Sequence, residues 1–195
     1  MALAVLACAL AWPVSAAAGS IHGAYSGLNC RGVWHLPDTG QTVSYTNTFG
    51  EDHDYQPASV KPSYTVLNLA GGSVTVDNVT GLMWMTNRNA DVSLASATWQ
   101  NAIAACENLS YAGYTDWRLP NIKELFSIFD FGKTTLPFIN ATVFQGDNTT
   151  VYWTSTTPYY PTSNAVTLGF TIGVNTSAQS KASTTLPFRC VRGGP

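Results

Sequence analysis

Cysteine, histidine and a run of carboxylates are the side chains of this sequence that could do covalent or metal chemistry, and their spacing narrows each option. The cysteines are Cys8, Cys30, Cys106 and Cys190. If Cys8 leaves with an N-terminal leader, three remain, which is one pair and one leftover thiol. The histidines, His22, His35 and His53, all fall early in the chain and none shows the His-Glu-x-x-His spacing of a zinc hydrolase, so zinc catalysis is not expected. Gly50-Glu51-Asp52-His53-Asp54-Tyr55 offers oxygen donors of the kind calcium takes, as do Asp147 and Asn148. The acidic run follows no EF-hand spacing, and a solvated acidic turn is its plainer reading. No Gly-rich phosphate loop, dinucleotide fingerprint or Ser-His-Asp pattern stands out. These residues predict no enzyme and no cofactor, with calcium the one ion left open.

Recognition chemistry is better represented. Between Thr154 and Ala182, the residues Tyr159, Tyr160, Asn164, Asn175 and Gln179 sit among small polar neighbours in what should be loops. Tyrosine gives flat amphipathic contact area at low entropic cost, and asparagine or serine gives adaptable hydrogen bonds, the chemistry of paratopes and sugar sites alike. An ordinary polar surface is the competing reading. Arg118, within Asp116-Trp117-Arg118-Leu119-Pro120, has a planar fork of donors that suits sulfate if it is exposed. Its structural reading is that Trp117 packs while Arg118 is held by a carboxylate or by carbonyls. Glu124 reads as a helix-start cap rather than a general acid.

The chain that must position these groups has 195 residues, with 9 Lys and Arg against 11 Asp and Glu and a formal charge of -2. Phosphate recognition needs a basic stripe, so the composition argues against a nucleic-acid partner. Thr, Ser and Asn together supply 53 residues while charged residues are only 10%, so the solvent face is built from hydroxyls and amides. With 45% hydrophobic and 12% aromatic residues there is material for one packed core. Ala2 to Trp12 is an apolar run closed by Pro13 and the small residues that end at Ala18. That fits a secretory signal peptide over residues 1–18, lacking only its basic n-region. The run falls short of the roughly 20 residues that span a bilayer, and no later segment reaches that length. A secreted, cell-surface or periplasmic chain without a membrane span is expected. Cys8, after Val5-Leu6-Ala7, approaches a lipoprotein signal only loosely.

Residues 19–62, rich in Gly, Pro, Thr and Tyr and without helical periodicity, read as an extended lead-in of short strands and turns. Residues 63–195 read as a domain. Ser73 to Val76 alternates as a strand, Asp77-Asn78 and Thr80-Gly81 carry turn chemistry, and Leu82 to Met85 is a compact apolar strand, together a hairpin. Trp99, Ala102, Ile103, Cys106 and Leu109 recur at helical spacing, which predicts a helix over Thr98 to Leu109, capped by Thr98 and with Cys106 toward the core. A second helix opens at Asn121, with Glu124 completing a capping box, Ile122, Leu125, Phe126 and Phe129 on one face, and Gly132 as its stop. Val151 to Ser155, Ala165 to Ile172 and Phe188 to Val191 read as strands. Strands, two short helices, then strands make an α+β domain.

The succession Thr75-Val76-Asp77-Asn78-Val79-Thr80-Gly81-Leu82-Met83-Trp84, then Trp99 to Cys106, then Gly113-Tyr114-Thr115-Asp116-Trp117-Arg118-Leu119-Pro120-Asn121, then Tyr152-Trp153-Thr154-Ser155-Thr156, then Arg189-Cys190-Val191-Arg192 resembles the Lcl C-terminal domain family, also called DUF1566. The likeness covers Ser63 to Gly194, and Leu36 to Thr42 with Gly50 to Tyr55 looks like the lead-in that often precedes the domain. The family is similar to C-type-lectin-like domains and to the formylglycine-generating-enzyme fold, and its better-known member is a bacterial surface adhesin that binds sulfated glycans. The resemblance therefore implies a lectin-like fold of small antiparallel sheets, a disulfide between Cys106 and Cys190, and an exported module that binds a glycan or a surface receptor in adhesion. It carries over no catalytic residues: chemistry of the formylglycine-generating type uses two reactive cysteines, which that disulfide would consume. The extended lead-in and the leftover Cys30 give the alternative, a structural subunit of a filament or homo-oligomer in which the lead-in adds a strand to a neighbour and Cys30 bridges chains; an enzyme of the formylglycine-generating type is the less favoured third class.

Overall fold

The fold is described for residues 38–55, 61–90, 96–146, 151–171 and 175–193 of a computed structural model, all within the unit His35–Gly194. The signal-peptide segment and the first half of the lead-in lie outside the described residues. In chain order the elements are α1 (Asp52–Tyr55), β1 (Tyr64–Leu69), β2 (Gly72–Asp77), β3 (Met83–Met85), α2 (Trp99–Glu107), α3 (Ile122–Phe126), β4 (Val151–Trp153), β5 (Asn164–Gly169), β6 (Asn175–Ser180) and β7 (Val191–Arg192). The domain is α+β with two small antiparallel sheets, one in the order β1-β2-β3-β7 and the other β4-β5-β6.

The β2–β3 hairpin forms where its turn chemistry lies. The Asp77 carboxylate accepts the Val79 N–H at 2.9 Å and the Thr80 hydroxyl at 2.6 Å, and Gly81 takes a φ of 71° that costs a glycine nothing. β3 is apolar throughout because it is buried on both faces. Met83 and Met85 enter a cluster with Ala102, Cys106, Trp117, Trp153 and Phe188, while Trp84 enters another with Leu125, Phe144, Tyr152 and Phe170. β4 divides in the same way, Trp153 to the first cluster and Tyr152 to the second. The two sheets are thereby locked to α2 and α3 through alternate residues of β3 and β4.

Cys106 on α2 and Cys190 just before β7 form a disulfide, with Cα atoms 5.5 Å apart. Arg189 beside it is fully buried and donates to the carbonyls of Met85 and Gln145, each at 2.9 Å. Desolvation pushes its guanidinium pKa down to about 10.

Several expectations need correction. Thr98 stands at the N-cap of α2, but its hydroxyl makes no cap hydrogen bond, and the Trp99 N–H is met by the Lys181 carbonyl at 3.3 Å. α3 has the expected capping box, with Asn121 Oδ1 accepting from Lys123 and Glu124 and the Glu124 carboxylate returning to the Asn121 N–H. It nevertheless ends at Phe126, well before Gly132. Gly132 answers to a different constraint, since a Cβ there would sit 1.9 Å from the Gly40 carbonyl oxygen, so its lack of a side chain lets the lead-in lie against the domain. The lead-in residues 38–55 contain turns and one helical turn but no strand. The closing strand is Val191–Arg192, shorter than and shifted from Phe188 to Val191. β1 and β6 are strands that the sequence pattern does not predict: β1 is an edge strand exposed along most of its length, and β6 is wholly polar or small.

Candidate functional site

The β4–β5 connection carries Tyr159 and Tyr160 into solvent, 99% and 85% exposed, further out than any other large apolar residue described. Rings so placed contribute nothing to the core, so the backbone beneath them must be held by polar bonds. At one end, Thr154 N–H and its hydroxyl both bond the Val166 carbonyl, at 3.2 and 2.7 Å, and Val166 N–H returns to Thr156 O at 2.8 Å. At the other, Asn164 N–H donates to Pro161 O at 3.1 Å.

Lys181, just past β6, braces the middle. Its ammonium donates to Thr157 Oγ1 at 2.8 Å and to the Thr162 carbonyl at 3.0 Å, and its own N–H donates to Ser163 O at 3.0 Å. The same ammonium lies 4.2 Å from the centroid of the Trp99 ring, and Trp99 Nε1 donates to Thr154 O at 2.8 Å. Among the described residues no carboxylate pairs with Lys181, so its positive charge is solvated by neutral oxygens and an aromatic face. The result is a braced loop with two free aromatic rings, several hydroxyls and one cation without a counter-ion.

The polar residues expected near this loop divide into two groups. Asn164 opens β5 and its side-chain amide reaches the Ala178 carbonyl at 3.5 Å; Gln179 sits on β6 opposite Ala165, with its amide toward Ser177 Oγ at 3.5 Å. Both therefore flank the loop on the β5–β6 ladder. Asn175 begins β6, opposite Gly169 at the far end of that ladder. Asn164, Asn175 and Gln179 are all strand residues, which corrects their expected place in loops: pairing between β5 and β6 supplies the order that their composition does not advertise.

Arg118 is held as its structural reading has it. It is bridged to Val191 by backbone bonds of 2.8 and 2.9 Å, and its two terminal nitrogens grip the Glu124 carboxylate at 2.8 and 2.6 Å. That hydrogen-bonded carboxylate raises the guanidinium pKa. Trp117 beside it is buried. The segment abuts the start of the loop, since Ser155 N–H donates to Pro120 O at 2.8 Å and Ile122 N–H to Thr156 Oγ1 at 3.1 Å. No bond links the Arg118 side chain to Tyr159, Tyr160 or Lys181.

The acidic loop spends its carboxylates locally. Glu51 accepts from the Tyr45 N–H at 2.9 Å and from Gln41, Asp54 accepts from the Gly50 and Glu51 N–H groups at 2.7 and 3.0 Å, and Asp52 accepts the Thr39 hydroxyl. The backbone donors lower the pKa of Glu51 and of Asp54. Among the described residues no group of three or more His, Cys, Asp or Glu is placed to hold a metal ion. Cys8, Cys30, His22, His35, Asp147 and Asn148 lie outside the described residues.

Lys181 and Trp99 are the site residues that sequence reasoning missed. One signal was available: Lys181 is the sole Lys or Arg between Lys133 and Arg189. A cation isolated in a long tract of hydroxyls and amides has few carboxylates to serve.

Residues 73–192, more than half of the chain, match the family model of the Lcl C-terminal domain. No curated protein and no solved structure matches the chain. Among the described residues no helix is long and apolar enough to cross a membrane.

Proposed function

The chain belongs to the Lcl C-terminal domain family, and from that premise we propose that it is an exported recognition module that binds carbohydrate, sulfated glycans in particular, in adhesion at a cell surface. The observation that carries this reading is the pair Tyr159 and Tyr160, almost wholly in solvent on a loop braced by a cation that no described carboxylate neutralises. A tyrosine ring stacks on the C–H face of a sugar while its hydroxyl stays wet, and a lysine ammonium meets sulfate as a point charge. The Cys106–Cys190 disulfide supports an oxidising compartment and so the export route read from the leader. It also ties up both described cysteines, which favours binding over thiol catalysis.

The test is affinity chromatography on heparin and a glycan array, with the full chain and its Tyr159→Ala/Tyr160→Ala double variant. The expected result is salt-sensitive retention of the parent and at least about a tenfold loss in the variant, equivalent to about 1.4 kcal/mol, at an unchanged urea midpoint. A folded parent that binds no glycan removes the carbohydrate assignment, and undiminished binding by the variant moves the site elsewhere.

A second reading, a subunit of a filament or oligomer, is favoured by β1, which among the described residues is an edge strand paired only with β2 and exposes Val66, Leu67 and Leu69. A monomeric native mass across micromolar concentrations would remove it.

A further inference from the structure

The first sheet carries a cavity that the β4–β5 loop does not share. It is an open cleft of about 410 Å³ beside β1 and β2, lined by Val66, Asn68, Ser73, Asn87, Tyr111 and Gln145, with Gly72 among them. That volume lies within the roughly 300–1,000 Å³ of small-molecule sites. Two features show that the wall is built rather than incidental. Tyr111 closes over Gly72 so tightly that a Cβ there would fall 2.1 Å from the ring, and Gly72 has a φ of 152°. The Tyr111 hydroxyl is fixed by the Ser73 backbone, accepting its N–H at 3.1 Å and donating to its carbonyl at 3.3 Å.

The polar atoms of the wall are of one kind. Asn68, Asn87 and Gln145 are carboxamides, Ser73, Thr86 and Tyr111 are hydroxyls, and among the described residues no charged side chain lines it. Half of each amide is already committed: Asn68 Oδ1 accepts from Ser73 Oγ at 2.6 Å, Asn87 Oδ1 from the Asn89 N–H at 2.9 Å, and Gln145 Nε2 donates to Thr142 O at 3.1 Å. The remaining halves are two amide donors, Asn68 Nδ2 and Asn87 Nδ2, and one acceptor, Gln145 Oε1, with Ser73 Oγ as a second acceptor. Val66, Ala90 and the Tyr111 ring add apolar surface.

We infer that this cavity is a second binding site, for a small neutral polyhydroxylated molecule of mono- or disaccharide size. A mixed set of uncharged donors and acceptors beside an apolar patch matches hydroxyl groups, each of which both gives and takes a hydrogen bond. Its described residues offer a carboxylate, phosphate or ammonium no counter-charge. The inference stands apart from the loop reading, because no residue is common to the two sites.

The experiment is amide-resolved NMR of the full chain titrated with neutral mono- and disaccharides, a uronic acid and an amino sugar. At least one neutral sugar should give saturable shifts at Asn68, Ser73, Asn87 and Tyr111. Val66→Trp, which fills the mouth with a residue that strands accept, should abolish them, and Gln145→Ala should weaken binding about three- to tenfold by removing one neutral hydrogen bond. The Tyr159→Ala/Tyr160→Ala variant should bind the sugar as the parent does, which separates this site from the loop. Well-dispersed spectra of each variant establish folding. The inference is overturned if no neutral sugar shifts these residues, if the uronic acid or amino sugar binds there more tightly, or if the shifts survive in a folded Val66→Trp.

Discussion

Cutting the Cys106–Cys190 bond should remove a large part of this domain's stability. The bond closes a loop with a sequence separation of 84 residues. The chain-entropy relation assigns such a loop about 4.5 kcal/mol at 25 °C, all of it through the wider ensemble that the unfolded chain gains once the link is gone. Both cysteines are fully buried in the cluster that joins the first sheet to α2, alongside Trp153 and Trp117. Two free thiols must then pack where one bond lay, and the tryptophans report whether they do. With a urea slope of about 2 kcal/mol per molar, the loss corresponds to a midpoint lower by about 2 M. The measurement is equilibrium unfolding in urea by tryptophan fluorescence, on oxidised protein, reduced protein and the Cys106→Ala/Cys190→Ala variant. The slope itself should rise in the uncrosslinked forms, because their unfolded chain exposes more surface. A midpoint drop of less than about 0.5 M, in a sample whose oxidised form is shown by mass to hold the link, would refute the reasoning. It would mean that the unfolded chain keeps the two segments together without the bond.

Two further outcomes follow from charged groups. Arg189→Met should lower stability by about 2–4 kcal/mol, because the buried Met85 carbonyl and the Gln145 carbonyl each lose a guanidinium donor; urea unfolding of the variant checks it, and a parent-like midpoint would show that the clasp contributes nothing net. The Asp116 carboxyl is held below its ordinary pKa by its 2.7 Å hydrogen bond from Arg192 Nε. Its contribution is therefore complete above the unfolded carboxyl value of about 3.9 and is lost as pH falls through the lower folded value. Asp116→Asn should accordingly flatten the acid limb of the stability profile below about pH 4 and leave its shape near neutrality unchanged, as read from urea midpoints across the acid range.

The parts of the fold that could be read from sequence are those whose cause is local. The β2–β3 hairpin is set by Asp77 and Gly81 inside the turn itself, and α3 is announced by Asn121 and Glu124 three residues apart. α2 shows through its spacing of buried residues, Ala102 and Cys106 among them. The parts that stayed hidden have distant causes. The six residues Asn175-Thr176-Ser177-Ala178-Gln179-Ser180 have no apolar alternation, and they form β6 because β5 offers a full ladder of partners from Asn164 to Gly169. Such a strand gains its order from backbone pairing and from bonds like that between Thr167 and Ser177, 2.8 Å across the ladder. Gly132 looks like a helix stop because glycine often is one, and its true constraint, the close approach of Gly40, lies far off in the chain.

At the candidate site the same division holds, and it bears on how the loop would work. Tyr159 and Tyr160 were legible by residue type, since exposed tyrosine amid small polar residues has few structural uses. Lys181 was not, because its partners Thr157 and Thr162 stand 24 and 19 residues away and Trp99 belongs to a different element. An ammonium has three donors, and two of Lys181's are spent on the loop. On the proposed reading the third is available to a sulfate oxygen, so an anionic ligand can be met without releasing Thr157 or Thr162. On that reading one cation would serve loop order and anion contact at once, which predicts that Lys181→Met would loosen the tyrosines as well as remove the charge. Amide hydrogen exchange across residues 156–163, faster in the folded variant than in the parent, is the expected result, and unchanged protection there would show that the loop holds without the lysine.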